Sequence, residues 1–168
     1  MSDSIPITPG GLKRIKEELK QLTNVERIKI SKEIEVARAH GDLRENAEYH
    51  AAKEKQGHIE GRIMDINGLL ARAEVIDPAK HKGDKDKVVF GATVILVDQE
   101  TEKEVTYRIV GEPEADLKKR WISITSPVAR GLVGKKVGDV ATVRSPGGAR
   151  EFEIVGVKFE DETAEEAG

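Results

Sequence analysis

The sequence contains no cysteine and only six aromatic residues among its 168 residues. The lack of cysteine excludes disulfides and thiolate-bound metal centres, and it is compatible with a reducing compartment. No apolar run approaches the roughly 20 residues that a membrane-spanning helix needs, so no membrane partner is expected. The first residues, MSDSIPITPGG, lack a basic region followed by an apolar block, so no secretory signal is expected. These absences predict a soluble, cytoplasmic protein.

Charge is abundant and unevenly distributed. Charged residues make up 35% of the chain, which is more than an ordinary globular domain carries. Residues 1–79 contain 13 basic and 14 acidic side chains, whereas residues 80–159 contain 15 basic and 12 acidic ones. The polar, acidic composition of the C-terminus predicts a disordered tail over residues 161–168. No segment has the dense basic stripe of a protein that binds duplex nucleic acid unaided.

A first helical pattern begins after a short lead-in, where Thr8 suits an N-cap and Pro9 suits the first turn. Its apolar residues then recur at intervals of three and four, as on one face of a helix. The phase of this repeat slips near Thr23–Val25, which predicts a kink or a break. The residues before the slip are Leu12, Ile15, Leu19 and Leu22, and those after it are Ile30, Ile34 and Ala37.

A second helical pattern carries the most regular heptad repeat in the chain. Its apolar positions follow 4-3-4-3 spacing: Ile59, Ile63, Ile66, Leu70 and Ala73. Closer to the first helix, Ala47, Ala51 and Ala52 predict a narrow face of small residues. Because the two patterns are similar in length and a short turn joins them, they predict an antiparallel coiled-coil hairpin.

The turn between the helices, about residues 41–46, becomes the tip of that hairpin. Gly41 ends the first helix, and Asn46 is unfavourable in a helix interior. Asp42 and Glu45 are three residues apart, and this spacing leaves three interpretations open. They could be a capping pair for the second helix, solvated loop charges, or two ligands for Mg²⁺, which often takes only one or two protein carboxylates. Three basic residues lie nearby in the sequence: Arg38, Arg44 and Lys53.

The composition changes at Asp77-Pro78, which predicts a hairpin domain over residues 1–78 and a second domain over 79–160. Beyond the polar segment 79–87, short β-branched and aromatic runs bounded by turn residues predict strands. These runs are Ala92–Val97, Glu104–Val110, Trp121–Ile124, Val140–Val143 and Phe152–Phe159. Ser126 as a cap and Pro127 at the first position predict one short helix between the strands. The chain is therefore expected to have an α+β fold with a small, mostly antiparallel second domain.

Five sequence blocks in order resemble the bacterial Gre family of transcript cleavage factors, and most closely its GreA branch. The blocks are GDLRENAEYHAAKE at the tip, VVFGATV at 88–94, YRIVGEPEAD at 107–116, ISITSPVARGLVGK at 122–135 and SPGGAREFEIVGV at 145–157. The resemblance covers nearly the whole chain except the acidic tail. The charge balance of residues 1–79 is less basic than in GreB-like hairpins, which agrees with the GreA branch.

The resemblance implies a role in transcription. The coiled-coil tip would enter the secondary channel of bacterial RNA polymerase, and an FKBP-like C-terminal domain would dock at the channel rim. Asp42 and Glu45 would help the polymerase hold its second Mg²⁺ and the attacking water during cleavage of backtracked RNA. The protein would then supply catalytic groups as a monomer, with no cofactor bound alone and no nuclease activity of its own.

The resemblance also implies contacts around the tip. Arg38 and Lys53 match a basic patch that contacts the extruded RNA 3′ end, although lysine lacks the planar fork of the arginine that relatives often have. Tyr49 is open to two interpretations, contact with the RNA end or packing across the tip. Arg44 would tune the local charge at most. The residues implied in polymerase docking are Ser126 and Pro127.

Three rival functions are compatible with parts of the sequence. A non-catalytic channel binder would inhibit the polymerase, but both tip acids are present in the arrangement GDLREN. A plain coiled-coil scaffold would leave the blocks of the second domain unexplained. A peptidyl-prolyl isomerase would need a cluster of aromatic residues, and the second domain has five aromatic residues in all, which suits ordinary packing.

Overall fold

A computed structural model describes residues 4–39 and 46–160 of the chain. The chain divides into two compact units, one formed by Lys13–Arg72 and the other by Met1–Leu12 together with Ala73–Gly168. The sequence predicted a single domain boundary at residue 78. The structure differs because the N-terminal residues belong to the C-terminal unit. The acidic tail predicted over residues 161–168 lies outside the described residues.

The first unit is built from helices with one irregular turn. Helix α1 spans Pro9–Gln21, a π-helical turn spans Leu22–Glu26, helix α2 spans Arg27–Arg38, and helix α3 spans Ala47–Arg72. The break predicted near Thr23–Val25 is confirmed as this π turn, a local widening of the helix that does not end it. The Thr23 hydroxyl donates to the Leu19 carbonyl at 2.9 Å within the turn.

Helices α2 and α3 pack against each other along an apolar seam, which confirms the hairpin. The buried cluster of the seam is Ile30, Ile34, Ala52, Ile59 and Ile63, with Leu19, Leu22 and Tyr49 packed against it. Of the three alanines predicted to form a small-residue face, Ala52 is buried, but Ala47 and Ala51 are exposed. That part of the prediction was wrong, because Ala47 and Ala51, four residues apart, share an exposed face of α3, whereas the neighbouring Ala52 lies on the face toward α2.

Two exposed ion pairs connect the arms of the hairpin on either side of the seam. Arg27 forms a bidentate pair with Glu60, with N–O distances of 2.8 and 2.9 Å. Arg62 forms an equivalent pair with Glu18 at 2.7 and 2.8 Å. Paired arginine and carboxylate forks have a preferred geometry, so these contacts add to the alignment of the two arms along the apolar seam.

A short parallel sheet, which no sequence pattern predicts, joins the two ends of the helical region. Strand β1, Ile5–Ile7, pairs with strand β2, Ala73–Val75. Thr8 follows β1 and caps α1, as predicted, since its Oγ1 accepts a hydrogen bond from Gly11 N at 3.2 Å. Three residues are too few to produce a recognisable period-2 pattern, and the partners are almost 70 residues apart in sequence.

A buried carboxylate holds the N-terminal segment within the C-terminal unit. Glu114 Oε2 accepts hydrogen bonds from Thr8 N at 3.1 Å and from Gly111 N at 2.9 Å, and Oε1 accepts from the Thr8 hydroxyl. A Cβ atom on Gly11 would lie 2.2 Å from Glu114 Oε1, so only glycine fits there while the carboxylate keeps this position. The contact explains why residues 1–12 are counted with the C-terminal unit.

The C-terminal unit is a five-stranded mixed sheet with one short helix. Strands β3 Thr93–Asp98, β4 Glu104–Val110, β5 Trp121–Ser123, β6 Val140–Ser145 and β7 Gly148–Lys158 are ordered β5-β4-β3-β7-β6. The β4–β5 pairing is parallel and the others are antiparallel. Helix α4, Pro127–Leu132, packs on β6 and buries Ala129 and Leu132 in the core. The predicted α+β fold class is confirmed.

No helix within residues 4–39 and 46–160 combines the length and the apolar character that crossing a membrane requires.

Candidate functional site at the hairpin tip

The described tip consists of the last turn of α2 and the first turn of α3, which a single side chain connects. Asn46 Oδ1 accepts a hydrogen bond from Tyr49 N at 3.0 Å, and the Asn46 carbonyl accepts from His50 N at 3.1 Å. Asn46 is therefore the N-cap of α3. Its Nδ2 also donates to the carbonyl of Ala37 in α2, at 2.7 Å.

The residues predicted to carry the chemistry, Asp42 and Glu45, lie outside the described residues, as does Arg44. The described part of the tip nevertheless bears on their capping interpretation. The N-cap of α3 is Asn46, whose side chain accepts from the Tyr49 amide at the helix start. Sequence reasoning missed Asn46 because it was considered only as a poor helix-interior residue. The available signal was that asparagine, which ranks among the best N-cap residues, stands directly before the helical pattern.

Arg38 and Tyr49 lie together at the tip. The guanidinium carbon of Arg38 is 6.0 Å from the centroid of the Tyr49 ring, at the edge of the range for a cation–π contact. Tyr49 is half-buried against the apolar seam, and its ring meets the His50 ring edge-on at 5.7 Å. The structure therefore supports packing across the tip for Tyr49, while the exposed part of its ring remains open to a ligand.

Lys53 is exposed one helical turn beyond Tyr49. Its ammonium group donates to Gln56 Oε1 at 3.2 Å, a surface contact that costs little to break. Residues four apart on a helix share a face, so Lys53 and Tyr49 lie on the same side of α3. The structure thus places Arg38, Tyr49 and Lys53 at one end of the hairpin, with the Arg38 guanidinium near the Tyr49 ring.

The tip offers few side chains that could bind a metal ion. Within the described part of the chain, no group of three or more His, Asp or Glu side chains could hold a metal ion. The carboxylates of Asp42 and Glu45 are hard oxygen donors of the kind that Mg²⁺ prefers, but two carboxylates supply only part of its octahedral shell. These two carboxylates alone would therefore leave most of the Mg²⁺ shell to other ligands.

The residues predicted to dock the polymerase form the start of α4. Ser126 is half-buried, and its Oγ accepts a hydrogen bond from Ala129 N at 3.2 Å, which confirms the predicted cap. Pro127 opens the helix and is exposed. Because the Ser126 hydroxyl already serves the cap, Pro127 is the residue of the two that offers more free surface to a partner.

The aromatic residues of the C-terminal unit take part in packing, and Phe152, Tyr107 and Phe159 do so at the same core cluster. Trp121 lies between the guanidinium of Arg108, 5.5 Å away, and the ammonium of Lys119, 4.7 Å away. Phe159 stacks on the ring of His81 with centroids 4.2 Å apart, and Phe152 belongs to the core. These contacts agree with the ordinary packing expected from the sequence.

Comparison with known families covers both units of the chain. A family described as "Transcription elongation factor, N-terminal" matches residues 5–75, and one described as "Transcription elongation factor, GreA/GreB, C-term" matches residues 83–159. Transcription elongation factors are thus the class that both halves indicate. The chain belongs to the GreA/GreB family of transcription elongation factors.

Individual relatives are similar over nearly their full length. The transcription elongation factor GreA of Anaeromyxobacter sp. (strain K) is 63% identical over 158 residues, which cover 94% of each chain. The GreA of Jannaschia sp. (strain CCS1) is 57% identical over 94% of this chain and 99% of its own. Among solved structures, the GreA factor homolog Gfh1 of Thermus thermophilus is 26% identical over 92% of this chain and 98% of its own, with a TM-score of 0.41.

Proposed function

We propose that the protein binds bacterial RNA polymerase, inserts the hairpin tip into its secondary channel and stimulates Mg²⁺-dependent cleavage of backtracked RNA. Membership of the GreA/GreB family supports the polymerase as partner. The observation that carries the catalytic part is the grouping of Arg38, Tyr49 and Lys53 at the end of the hairpin, next in sequence to the acids Asp42 and Glu45. The helix cap that the structure describes at this end is made by the Asn46 amide and uses no carboxylate.

Each tip residue has a distinct role in this proposal. Mg²⁺ shared with the polymerase would activate water and stabilise the leaving oxygen, as metal ions do in phosphodiester hydrolysis. Asp42 and Glu45 would contribute carboxylate oxygens to that ion and orient the water. Arg38 and Lys53 would hold the phosphates of the extruded RNA 3′ end, and the exposed part of the Tyr49 ring would contact its base.

The proposal makes the protein a supplier of catalytic groups and not a nuclease in its own right. Two carboxylates without further ligands hold Mg²⁺ weakly, so the isolated protein should not cleave RNA. On the polymerase, correct placement of the two groups would contribute several kcal/mol toward lowering the barrier, about the size of known positioning effects. Docking through the exposed Pro127 would keep the tip at the site.

The test is cleavage of RNA in stalled, backtracked elongation complexes with Mg²⁺. The parent protein should release short 3′ fragments, and Asp42→Asn or Glu45→Gln should lower the maximal rate by roughly 100-fold or more. Both variants should melt at the parent temperature, since Asn46 retains the cap. Glu35→Gln is the matched control, because it removes an exposed carboxylate from α2 of the same hairpin.

Binding to the polymerase is measured separately from the rate of RNA cleavage. Pro127→Ala should raise the concentration for half-maximal stimulation by roughly tenfold without changing the maximal rate, as for an interface anchor. Fragment release at the rate of polymerase alone would refute the stimulator, and slowed elongation in the same assay would identify an inhibitory channel binder instead. Cleavage of RNA by the protein without polymerase would refute the proposal that it only supplies catalytic groups to the polymerase.

A further inference from the structure

A tight turn before β5 projects positive charge and an apolar side chain from the C-terminal unit. We call residues 117–121, with the sequence LKKRW, the basic turn. Leu117 is 84% exposed, and the three basic residues that follow it are exposed as well. Trp121, the one tryptophan of the chain, is half-buried at the start of β5. Tryptophan and arginine are the residue types that most often dominate the energy of protein interfaces.

Hydrogen bonds within the basic turn hold its backbone in one conformation. Asp116 N donates to Trp121 O at 2.9 Å and Trp121 N donates to Asp116 O at 3.0 Å, which closes the base of the turn. The Asp116 carboxylate accepts from Lys118 N at 3.0 Å. Arg120 then reverses the chain in the left-handed conformation, with a φ of 60°. Because the backbone is ordered before a partner arrives, binding loses little conformational entropy.

The same hydrogen bonds decide how a partner can be recognised. Strand β5 lies at one edge of the five-stranded sheet. The backbone N–H and C=O of Trp121 are both bonded to Asp116, and Ser123 O accepts from Ser126 N at 2.9 Å. A partner strand that tried to extend the sheet would find these groups already bonded. Recognition at the basic turn therefore depends on side chains.

The charges around Trp121 favour an acidic protein over a nucleic acid. The guanidinium of the buried Arg108 is 5.5 Å from the ring centroid, and the ammonium of the exposed Lys119 is 4.7 Å from it. A base that stacked on the ring would compete with Lys119, whereas a carboxylate can pair with Lys119 and leave the cation–π contact in place. Leu117 adds an apolar anchor for a protein side chain but no group that binds phosphate.

We propose that the basic turn is a contact surface for an acidic, partly apolar protein segment, and that this segment belongs to the polymerase. The identity of the partner rests on the proposed function. Strand β5, about 10 Å long, connects the basic turn with the start of α4, where Ser126 and Pro127 lie. A standard interface covers about 800 Å² on each partner and can include both places. The basic turn lies between two of the blocks that resemble the Gre family, which end at Asp116 and resume at Ile122.

The first test measures the Kd of the full-length protein for RNA polymerase without nucleic acid, at low and high salt. Lys118→Glu should raise the Kd about tenfold at low salt and much less at high salt, because salt screens exposed charges. Leu117→Ser should raise it about threefold at both salt concentrations, because an apolar contact is not screened. Lys103→Glu is the matched control, since it reverses an exposed charge between β3 and β4, and should change the Kd less than twofold.

The outcomes separate the contact surface from the proposed function. If the parent binds and both variants bind equally well, the inference is overturned and the proposed function stands. Losses that occur only when RNA is present would assign the basic turn to nucleic acid and also overturn the inference. Weaker binding of both variants, with a parent that binds but does not stimulate cleavage, would support the inference and refute the proposed stimulation. A parent that does not bind the polymerase would overturn both.

The second test uses the single tryptophan to detect direct contact. Full-length protein that carries 5-hydroxytryptophan at position 121 can be excited apart from the tryptophans of the polymerase. Saturating polymerase should lower the quenching of this fluorescence by acrylamide about twofold, since residues at the centre of an interface are shielded from solvent. Quenching that is unchanged in the saturated complex would place Trp121 outside the interface and overturn the inference.

Discussion

The hairpin and the C-terminal unit enclose their apolar side chains to different degrees. In the C-terminal unit, a sheet and a helix cover the core, and Val94, Leu96 and Ile154 are completely buried. In the hairpin, a single seam between two helices carries the packing, and Ile59 and Ile63 keep a small exposed fraction. Two bidentate ion pairs across the arms accompany this seam. A hairpin of two helices has no second layer to cover its core, so polar contacts beside the seam help to align it.

Removing a core side chain from the C-terminal unit should produce the largest effect. Leu96→Ala leaves a cavity between β3 and its neighbours, and we expect a loss of about 2–5 kcal/mol in the free energy of unfolding, measured with urea. Ile63→Ala in the hairpin should cost roughly half as much, since neighbours at an open seam can relax into the space. Equal losses for the two variants would show that the seam is enclosed as tightly as the core.

Replacing the buried carboxylate of Glu114 should have the next largest effect on the free energy of unfolding. Glu114→Gln replaces a charged acceptor of three hydrogen bonds by an amide whose NH₂ cannot accept, and we expect a loss of about 1–3 kcal/mol. The hydrogen exchange of the Thr8 amide should accelerate at the same time. Glu112→Gln is the matched control, since Glu112 is exposed two residues earlier. If both substitutions have the same small effect, the contact with Thr8 contributes little to stability.

Removing an ion pair of the hairpin should change the free energy of unfolding least, and the size of this change should depend on pH. The hydrogen bond from Arg62 lowers the pKa of Glu18 below its ordinary value of 4.5. A lowered pKa means that the pair stabilises the fold above the ordinary value and that this contribution disappears as the pH falls through the lowered one. Arg62→Gln should therefore cost roughly 0.2–1 kcal/mol at pH 7 after solvent screening, and the difference from the parent should shrink at pH 3 or in high salt. A difference that is unchanged at pH 3 would contradict the role of the ion pair.

Some features of the described tip and of α4 were expected from the sequence and its family resemblance, but the connections between them were not. The basic and aromatic residues Arg38, Tyr49 and Lys53 lie together at one end of the hairpin, as the sequence predicted. The cap of α4 by Ser126 followed from local residue order, because capping involves groups only three residues apart. The role of Asn46 was missed because its second hydrogen bond reaches back across the turn to Ala37, and no local pattern marks such a partner.

The sequence by itself determined the features that depend on neighbouring residues: the α+β class, the two arms of the hairpin, the break at the π turn and the strands of the sheet. Tertiary structure alone decided the pairing of β1 with β2, the burial of Glu114 beside Thr8 and the connection from Asn46 to α2. Hydrophobic periodicity and helix capping involve residues within one or two helical turns of one another, so local sequence patterns reveal them. A hydrogen bond between residues such as Thr8 and Glu114, 106 positions apart, depends on how the whole chain folds and has no local trace.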